Sequence, residues 1–334
     1  MAWPYANGPL HLGHVAGNCL PADIQYRYER AMGRKVLMCS GSDEHGTPIT
    51  LTAEELGITP QEVVDKYHNI NKKALSDLGC SWENNIDPRG VEFGGALYNR
   101  TSDPMHKKIV QEVFLNLLEY GYLERKTMQQ YCSLGTDGSV RFLPDRYVEG
   151  TCPACSEDGA RGDQCDSCGA TYEANEILNP KSKLDPEAKI EVRDTEHYFF
   201  RLNDFQNSLE NHSSERKSKW KPNVRAMTKN WLDMGLRPRA VTRDIDWGIE
   251  IPLEGIEWSN KRIYVWFEAV QGYYSCARIW SERYASSTDN PDGIRLWERW
   301  WKANDQGVNA KHIYFMGKDN IPFHTIIWPA IIMG

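Results

Sequence analysis

The chain has 334 residues, of which 40% are hydrophobic and 25% charged, a composition typical of a folded protein with enough apolar material for two or three packed units. Its 39 basic and 46 acidic side chains give a net charge of -7, which argues against indiscriminate nucleic-acid binding and restricts any RNA contact to a local basic surface. No secretory signal is recognisable, and no apolar run approaches the roughly 20 residues that span a bilayer. We therefore expect a cytoplasmic protein that does not enter membranes.

Two adjoining segments near the start of the chain predict a helix that leads into a buried strand. Apolar side chains at Ile24, Tyr28 and Met32 recur at helical spacing, so we expect a helix over residues 23–32. The apolar run at residues 35–39 is followed by serine, glycine and aspartate, as expected of a buried strand that ends in a polar loop.

Later segments repeat this alternation. Ile109 and Leu117 belong to an amphipathic helix that should end at Gly121. Apolar runs at residues 262–267 and 312–316 predict two further strands. Helices that alternate with buried strands indicate an α/β fold.

The composition changes after about Glu124, where Gly, Asp, Cys and Pro become frequent, and residues 152–168 contain too few apolar side chains to form a core. This change predicts an inserted unit within the α/β sheet. We expect the chain to divide into residues 1–124, the first half of the α/β domain, residues 125–240, the insertion, and residues 241–334, the second half.

Four of the nine cysteines form two CxxC pairs, Cys152 with Cys155 and Cys165 with Cys168, separated by nine residues. Two such pairs can supply four thiolates to one structural zinc ion in a closed tetrahedron. Redox-active disulfides are the alternative, but flanking Gly and Asp residues are typical of zinc ribbons. We expect the remaining cysteines to be small buried apolar residues: Cys19, Cys39, Cys80, Cys132 and Cys276.

A turn rich in Pro, Asn and Gly at residues 4–9 leads into His11, Gly13 and His14 and then into helical sequence. A helix N-terminus attracts phosphate, because its backbone N–H groups are unpaired and its dipole is positive. Histidines three residues apart lie on one face of the first turn, where both can donate hydrogen bonds to a phosphate oxygen. The pattern alone is equally consistent with histidines that cap and pack the helix.

In context, the run of residues 4–14 resembles the first signature motif of the class I aminoacyl-tRNA synthetases, and its Pro-Tyr-Ala-Asn-Gly start is shared by the methionine and isoleucine members. The resemblance implies a Rossmann-type parallel-sheet domain that binds ATP with Mg²⁺. It assigns ATP binding to His11, Gly13 and His14, with both histidines stabilising the reacting phosphate.

Asp43 follows the strand predicted at residues 35–39, and an acid at the carboxyl end of a strand can bind a substrate ammonium. An acid in a surface turn is the alternative. The loop at residues 40–48 resembles that of the methionyl-tRNA synthetases, which implies that Asp43 binds the amino group of methionine.

Residues 261–273 resemble the segment of those enzymes that encloses the methionine side chain. The resemblance assigns methionine binding to Ala2, Trp3, Tyr5, Trp266, Ala269, Tyr273 and His324. Trp3 replaces the leucine of many relatives, and Val270 stands where many have proline. The shape of the pocket should differ accordingly.

Two further segments extend the resemblance. Gly317 and Asp319 follow the last predicted strand and match residues that bind the adenosine and its ribose. Residues 143–152 resemble the start of the connective peptide of the methionyl-tRNA synthetases, which carries a zinc ribbon.

The family resemblance implies that methionine, ATP and tRNA(Met) are the substrates. An isoleucyl-type synthetase is the nearest alternative, but selection against valine requires an editing domain, for which residues 125–240 leave little room. The second alternative is a non-catalytic, zinc-stabilised module that binds tRNA or protein. We expect weak activity or none, because the sequence lacks a Lys-Met-Ser-Lys-Ser loop and leaves no room for a strand before Trp3. Monomer and homodimer both remain open.

Overall fold

A computed structural model describes residues 1–135, 140–143, 147–162, 165, 167–168, 170, 172, 176–183, 185, 187–287, 289–302 and 310–334. Over these residues, no helix combines the length and the apolar character needed to cross a bilayer.

The described helices are α1 (Leu12–His14), α2 (Leu20–Ala31), α3 (Thr47–Leu56), α4 (Pro60–Asp77), α5 (Pro104–Glu119), α6 (Gln206–Arg216), α7 (Pro222–Asp233), α8 (Val265–Ala269), α9 (Gly272–Trp280), α10 (Glu298–Trp301) and α11 (Trp328–Met333). The described strands are β1 (Val36–Ser42), β2 (Gly94–Arg100), β3 (Leu123–Leu134), β4 (Val140–Phe142), β5 (Val148–Thr151), β6 (Ala160–Arg161), β7 (Leu178–Ser182), β8 (Lys189–Phe200), β9 (Arg239–Ala240), β10 (Thr242–Arg243) and β11 (Arg262–Ile263).

The predicted strand at residues 35–39 is confirmed and extends to Ser42 as β1. It pairs in parallel with β2 from Val36 opposite Gly94 to Ser42 opposite Arg100. A Cβ atom at Gly94 would lie 2.1 Å from the carbonyl oxygen of Val36, so the strands approach this closely only because residue 94 is glycine. The carboxyl ends of both strands therefore lie at one edge, where ligands bind in α/β folds.

The helix predicted at residues 23–32 is confirmed as α2, but its apolar stripe does not face the core. Ile24, Tyr28 and Met32 are 64%, 54% and 56% exposed. The buried side of α2 carries Asp23, which accepts a hydrogen bond of 2.7 Å from the backbone nitrogen of Ser81. The same side also buries Ala22 and Tyr26 in an apolar cluster, so the helix buries a mixed polar and apolar face rather than the predicted stripe.

Helix α5 matches its prediction and ends where expected. Ile109, Phe114 and Leu117 are buried, and Gly121 adopts a left-handed conformation with φ of 77°. This conformation lets the chain turn directly from α5 into β3.

Residues 123–240 contain an antiparallel sheet of order β4-β3-β8-β9, in which β3 and β8 pair from Leu123 opposite Phe200 to Leu134 opposite Lys189. A smaller antiparallel sheet of order β6-β5-β7 adjoins the CxxC pairs. Helices α6 and α7 follow, and their Leu209 and Leu232 belong to the same apolar core as Phe267 and Trp328.

The strands predicted at residues 262–267 and 312–316 are wrong. Only Arg262–Ile263 forms a strand, antiparallel to β10, and Val265–Ala269 forms helix α8. Short apolar runs suit a buried helical turn as well as a strand. Residues 312–316 form no regular ladder, although the backbone nitrogen of Ala2 donates to the carbonyl oxygen of Phe315 at 2.8 Å.

The segment before Tyr5 is buried beside β1. The α-ammonium of Met1 lies 3.0 Å from the carbonyl oxygen of Cys39. A cavity of about 510 Å³ adjoins this contact, between residues 34–39 and residues 310–315, and its lining includes Tyr273.

Candidate active site

His11 and His14 form a reciprocal cap at the start of α1. The ring Nδ1 of His11 accepts from the backbone nitrogens of Gly13 at 3.0 Å and His14 at 3.4 Å, and Nδ1 of His14 accepts from the backbone nitrogen of His11 at 3.4 Å. In its neutral form each ring therefore carries its proton on Nε2, which remains a donor for a ligand. Capping and phosphate binding, the two interpretations of this motif, are thus compatible.

The two rings stack with centroids 3.7 Å apart. A Cβ atom at Gly13 would lie 2.9 Å from Cε1 of His11, so this geometry requires the glycine. Burial, followed by the charge of His11, lowers the pKa of His14, whereas the His11 side chain is exposed.

Asp43 lies directly after β1 and is only 2% exposed, which contradicts an acid in a surface turn. Its backbone pairs with the segment around Tyr5, since its nitrogen donates to the carbonyl oxygen of Pro4 and its own carbonyl oxygen accepts from Ala6, each at 2.8 Å. Carboxylate Oδ1 has no hydrogen-bond partner among the described residues. Burial, followed by the charge of Glu268, raises the pKa of Asp43 well above its ordinary value. A bound cation would reverse this shift.

Trp266 on α8 contributes to an aromatic cluster. Its ring stacks on Phe323 with centroids 4.3 Å apart and meets Tyr5 edge-on at 6.0 Å. No sequence pattern indicates that Phe323 belongs to this cluster, although it directly precedes His324. Ala269, one helical turn after Trp266, is 8% exposed.

Tyr273 and His324 are joined by a hydrogen bond of 2.7 Å between the phenolic oxygen and Nε2. Nδ1 of His324 lies 2.7 Å from the carbonyl oxygen of Asn320 and must donate to it, so Nε2 accepts the tyrosine proton. Burial lowers the pKa of His324 to about 4 and raises that of Tyr273 well above its ordinary value. Both groups are therefore neutral near pH 7.

Trp3 fits the site because two neighbours are glycine. A Cβ atom added to Gly41 would lie 2.5 Å from Cζ3 of Trp3, and one added to Gly272 would lie 2.8 Å from Cε2 of the same ring. Ala2, next to it, is buried. Val270 belongs to the apolar core that contains Phe267, so its replacement of proline affects packing behind α8.

Gly317 and Asp319 are exposed near the 3₁₀ turn Lys318–Asn320. This turn is tied to the aromatic site by the hydrogen bond from His324 to Asn320. The structure thus joins Tyr5, Asp43 and Trp266 through direct contacts and links Asp319 to them through its own turn.

The four sulfur atoms of the CxxC pairs lie within 4.8 Å of one another. Cys152 and Cys168 have Sγ atoms 3.8 Å apart, and those of Cys155 and Cys165 are 3.7 Å apart. A zinc tetrahedron with bonds of about 2.3 Å needs sulfur separations of about 3.8 Å, whereas a disulfide needs about 2.05 Å. The arrangement therefore suits a metal ion. In the segment that resembles the connective peptide, residues 144–146 lie outside the described part of the chain.

Of the other five cysteines, four are buried and Cys39 is half-buried, which agrees with the expectation of small apolar residues.

Comparisons with known proteins give a consistent result. A family model described as tRNA synthetases class I (M) matches residues 1–334. Methionine–tRNA ligases of Roseiflexus sp. (strain RS-1) and Thermoplasma acidophilum are 47% and 46% identical to the whole chain, which covers 53% and 55% of their lengths. The chain thus spans about half the length of these curated relatives.

Among solved structures, Mycobacterium tuberculosis methionyl-tRNA synthetase bound by methionyl-adenylate is similar with a TM-score of 0.66 at 20% identity. The match covers 99% of this chain and 53% of that one. This similarity establishes a common α/β fold.

Proposed function

Because the chain belongs to the family of class I tRNA synthetases (M), we propose that its site serves a methionine–tRNA ligase, which activates methionine with Mg-ATP and transfers the methionyl group to tRNA(Met). The observation that carries this proposal is the buried carboxylate of Asp43, which lies beside an aromatic cluster and has one oxygen without a hydrogen-bond partner among the described residues. A free amino acid with an apolar side chain offers both matching groups.

In the proposed complex, the methionine ammonium pairs with Asp43. Trp266 and Tyr273 enclose the thioether, and sulfur against aromatic rings contributes about 0.3–1.5 kcal/mol. His324 orients Tyr273 through the hydrogen bond of 2.7 Å. Ala2, Trp3, Tyr5 and Ala269 complete the walls of the methionine pocket.

The methionine carboxylate attacks the α-phosphate, which releases pyrophosphate and forms methionyl-adenylate. Charge develops on the phosphate oxygens, and the Nε2–H groups of His11 and His14 stabilise it by hydrogen bonding. Gly13 permits close approach of the triphosphate, and Gly317 and Asp319 bind the adenosine. Positioning and electrostatic stabilisation supply most of the rate increase.

We also propose that one structural Zn²⁺ is bound by Cys152, Cys155, Cys165 and Cys168. We propose that the chain divides into two halves of the α/β domain, residues 1–124 and 241–334, with residues 125–240 inserted between them. A cytoplasmic location is also proposed. The protein is proposed to be either a monomer or a homodimer.

The decisive experiment is calorimetric titration of the chain with methionine, isoleucine and ATP, followed by methionine-dependent ATP–pyrophosphate exchange. We expect methionine and ATP to bind and isoleucine to bind far more weakly. Asp43→Asn should abolish methionine binding, whereas Asp292→Asn, at an exposed position, should not change it. Preference for isoleucine would favour the isoleucyl-type alternative. Failure to bind either methionine or ATP would favour a non-catalytic module.

A further inference from the structure

Three consecutive titratable residues follow β1, and all are buried: Asp43, Glu44 and His45 are 2%, 0% and 2% exposed. Glu44 accepts from Nε of Arg100 at 2.8 and 2.9 Å, which fixes the loop to the end of β2. The next residue is directed to another part of the fold, because Nδ1 of His45 lies 2.7 Å from Oε1 of Glu268.

Glu268 lies on α8 between Trp266 and Ala269 and is 0% exposed. Its second oxygen, Oε2, has no hydrogen-bond partner in the described part of the chain. Burial raises the pKa of Glu268 well above its ordinary value and lowers that of His45 to about 3. The contact is therefore a hydrogen bond between two buried side chains whose charged forms are both disfavoured.

This hydrogen bond joins the loop that carries Asp43 to the helix that carries Trp266. Packing supports it from behind: Trp247 meets the His45 ring edge-on at 5.7 Å and donates from Nε1 to the carbonyl oxygen of Glu44 at 2.6 Å. The loop thus has one polar attachment to β2 and another to α8.

We propose that Glu268 and His45 form a positioning pair for the methionine subsite. Their hydrogen bond sets the separation between the carboxylate of Asp43 and the ring of Trp266, so that one amino acid meets both with its ammonium and its side chain. The inference rests on the proposed function, and neither residue of the pair contacts substrate. An error of about 1 Å in such a separation is enough to cost roughly 100-fold in activity.

The test compares methionine and ATP dissociation constants of Glu268→Ala, Glu268→Asp and Glu268→Gln by calorimetry, with melting temperatures alongside. Glutamine keeps the length of the side chain and can still hydrogen-bond to His45, so its methionine Kd should stay within about threefold of the unchanged chain. Alanine removes the bond and aspartate shortens the side chain, so each should raise the methionine Kd roughly 10- to 100-fold without changing the ATP Kd.

The matched control is His197→Asn, because His197 makes another buried contact with a carboxylate, 2.9 Å from Asp244, outside the proposed methionine site. This variant should lower the melting temperature and leave the methionine Kd unchanged.

Unchanged methionine binding in Glu268→Ala or Glu268→Asp would overturn the proposed positioning role of Glu268 and His45. Equal losses of methionine and ATP binding in these variants would overturn it as well. If Glu268→Ala does not fold, the aspartate and glutamine variants decide. A chain that binds no methionine before any substitution would instead contradict the proposed function itself.

Discussion

The phenol of Tyr273 donates to Nε2 of His324 at 2.7 Å, and this ring in turn donates from Nδ1 to the turn that carries Asp319. Tyr273→Phe removes the first donor and leaves Nε2 buried without a partner, at a cost of about 1–3 kcal/mol. We expect a lower melting temperature and weaker methionine binding by calorimetry. Tyr120→Phe, at a position 70% exposed, should change neither. If Tyr273→Phe and Tyr120→Phe have the same melting temperature and methionine affinity, the hydrogen bond between Tyr273 and His324 contributes to neither stability nor binding.

Acid should destabilise the fold between about pH 6.5 and 4. Burial lowers the pKa of His45 and His106 to about 3 and of His68 and His324 to about 4, so the unfolded chain binds protons in this range that the folded chain does not. Their stabilisation is complete above pH 6.5 and is lost as the pH falls.

Asp43 and Glu268 act in the opposite direction, because their raised pKa values keep protons on the folded chain. The four histidines outnumber these two acids. For each proton that the unfolded chain binds in excess of the folded chain, the free energy of unfolding falls by about 1.4 kcal/mol per pH unit of acidification. Thermal melts followed by circular dichroism should therefore show a falling midpoint from pH 6.5 to 4.5. A constant or rising midpoint would contradict the histidine assignment.

Purified protein should contain about one zinc ion per chain, measured by elemental analysis. Cys168→Ser should abolish the zinc content and lower the melting temperature, although the residue itself is exposed. Cys132→Ser provides the control, because Cys132 is buried in β3 and does not belong to the four-sulfur cluster. Zinc retained by the Cys168 variant would argue against the proposed ligand set.

His14→Ala should reduce adenylate formation by about 10²–10³ if Nε2–H meets the transition state. The assay is methionine-dependent ATP–pyrophosphate exchange. His212→Ala, a half-buried position on α6, should leave the rate unchanged. An unaltered rate in the His14 variant would reduce its role to helix capping.

Gly272→Ala should be destabilising although alanine normally favours helices by about 1 kcal/mol. The new Cβ would lie 2.8 Å from Cε2 of Trp3, and overpacking of this kind costs about 1–3 kcal/mol. Adding Trp3→Leu should recover the stability lost in Gly272→Ala, because the smaller side chain removes the clash. Gly17→Ala is the control, because a Cβ atom there meets no described atom within 4 Å outside its own helix. If the stability changes of Gly272→Ala and Trp3→Leu simply add in the double variant, the clash between residues 272 and 3 is not the cause.

The sequence predicts local features of this site well. The spacing of Cys152 to Cys168 matches the four-sulfur cluster, and the Pro-rich turn before His11 correctly marks the start of a helix. Both are short-range patterns in which backbone geometry follows from a few neighbouring residues. The further role of these residues in ligand binding stays a prediction.

Contacts between distant residues could not be derived in this way. His45 and Glu268 are 223 positions apart, and no local pattern indicates that they meet. Without knowledge of that contact, the apolar run around Trp266 resembles a strand, although residues 265–269 form helix α8 and bury both Phe267 and Glu268. Tertiary contacts override the local pattern here.

The core that Leu209 and Leu232 share with Phe267 and Trp328 limits how this protein can be re-engineered. A shortened chain without residues 125–240 would lose the four clustered cysteines and also leave a wide apolar face open to water, which promotes aggregation. Exchanging the insertion with that of a relative therefore requires matching side chains on both sides of the junction. The helices that carry Leu209 and Leu232 can therefore be exchanged only together with the side chains that share their core on α8 and α11.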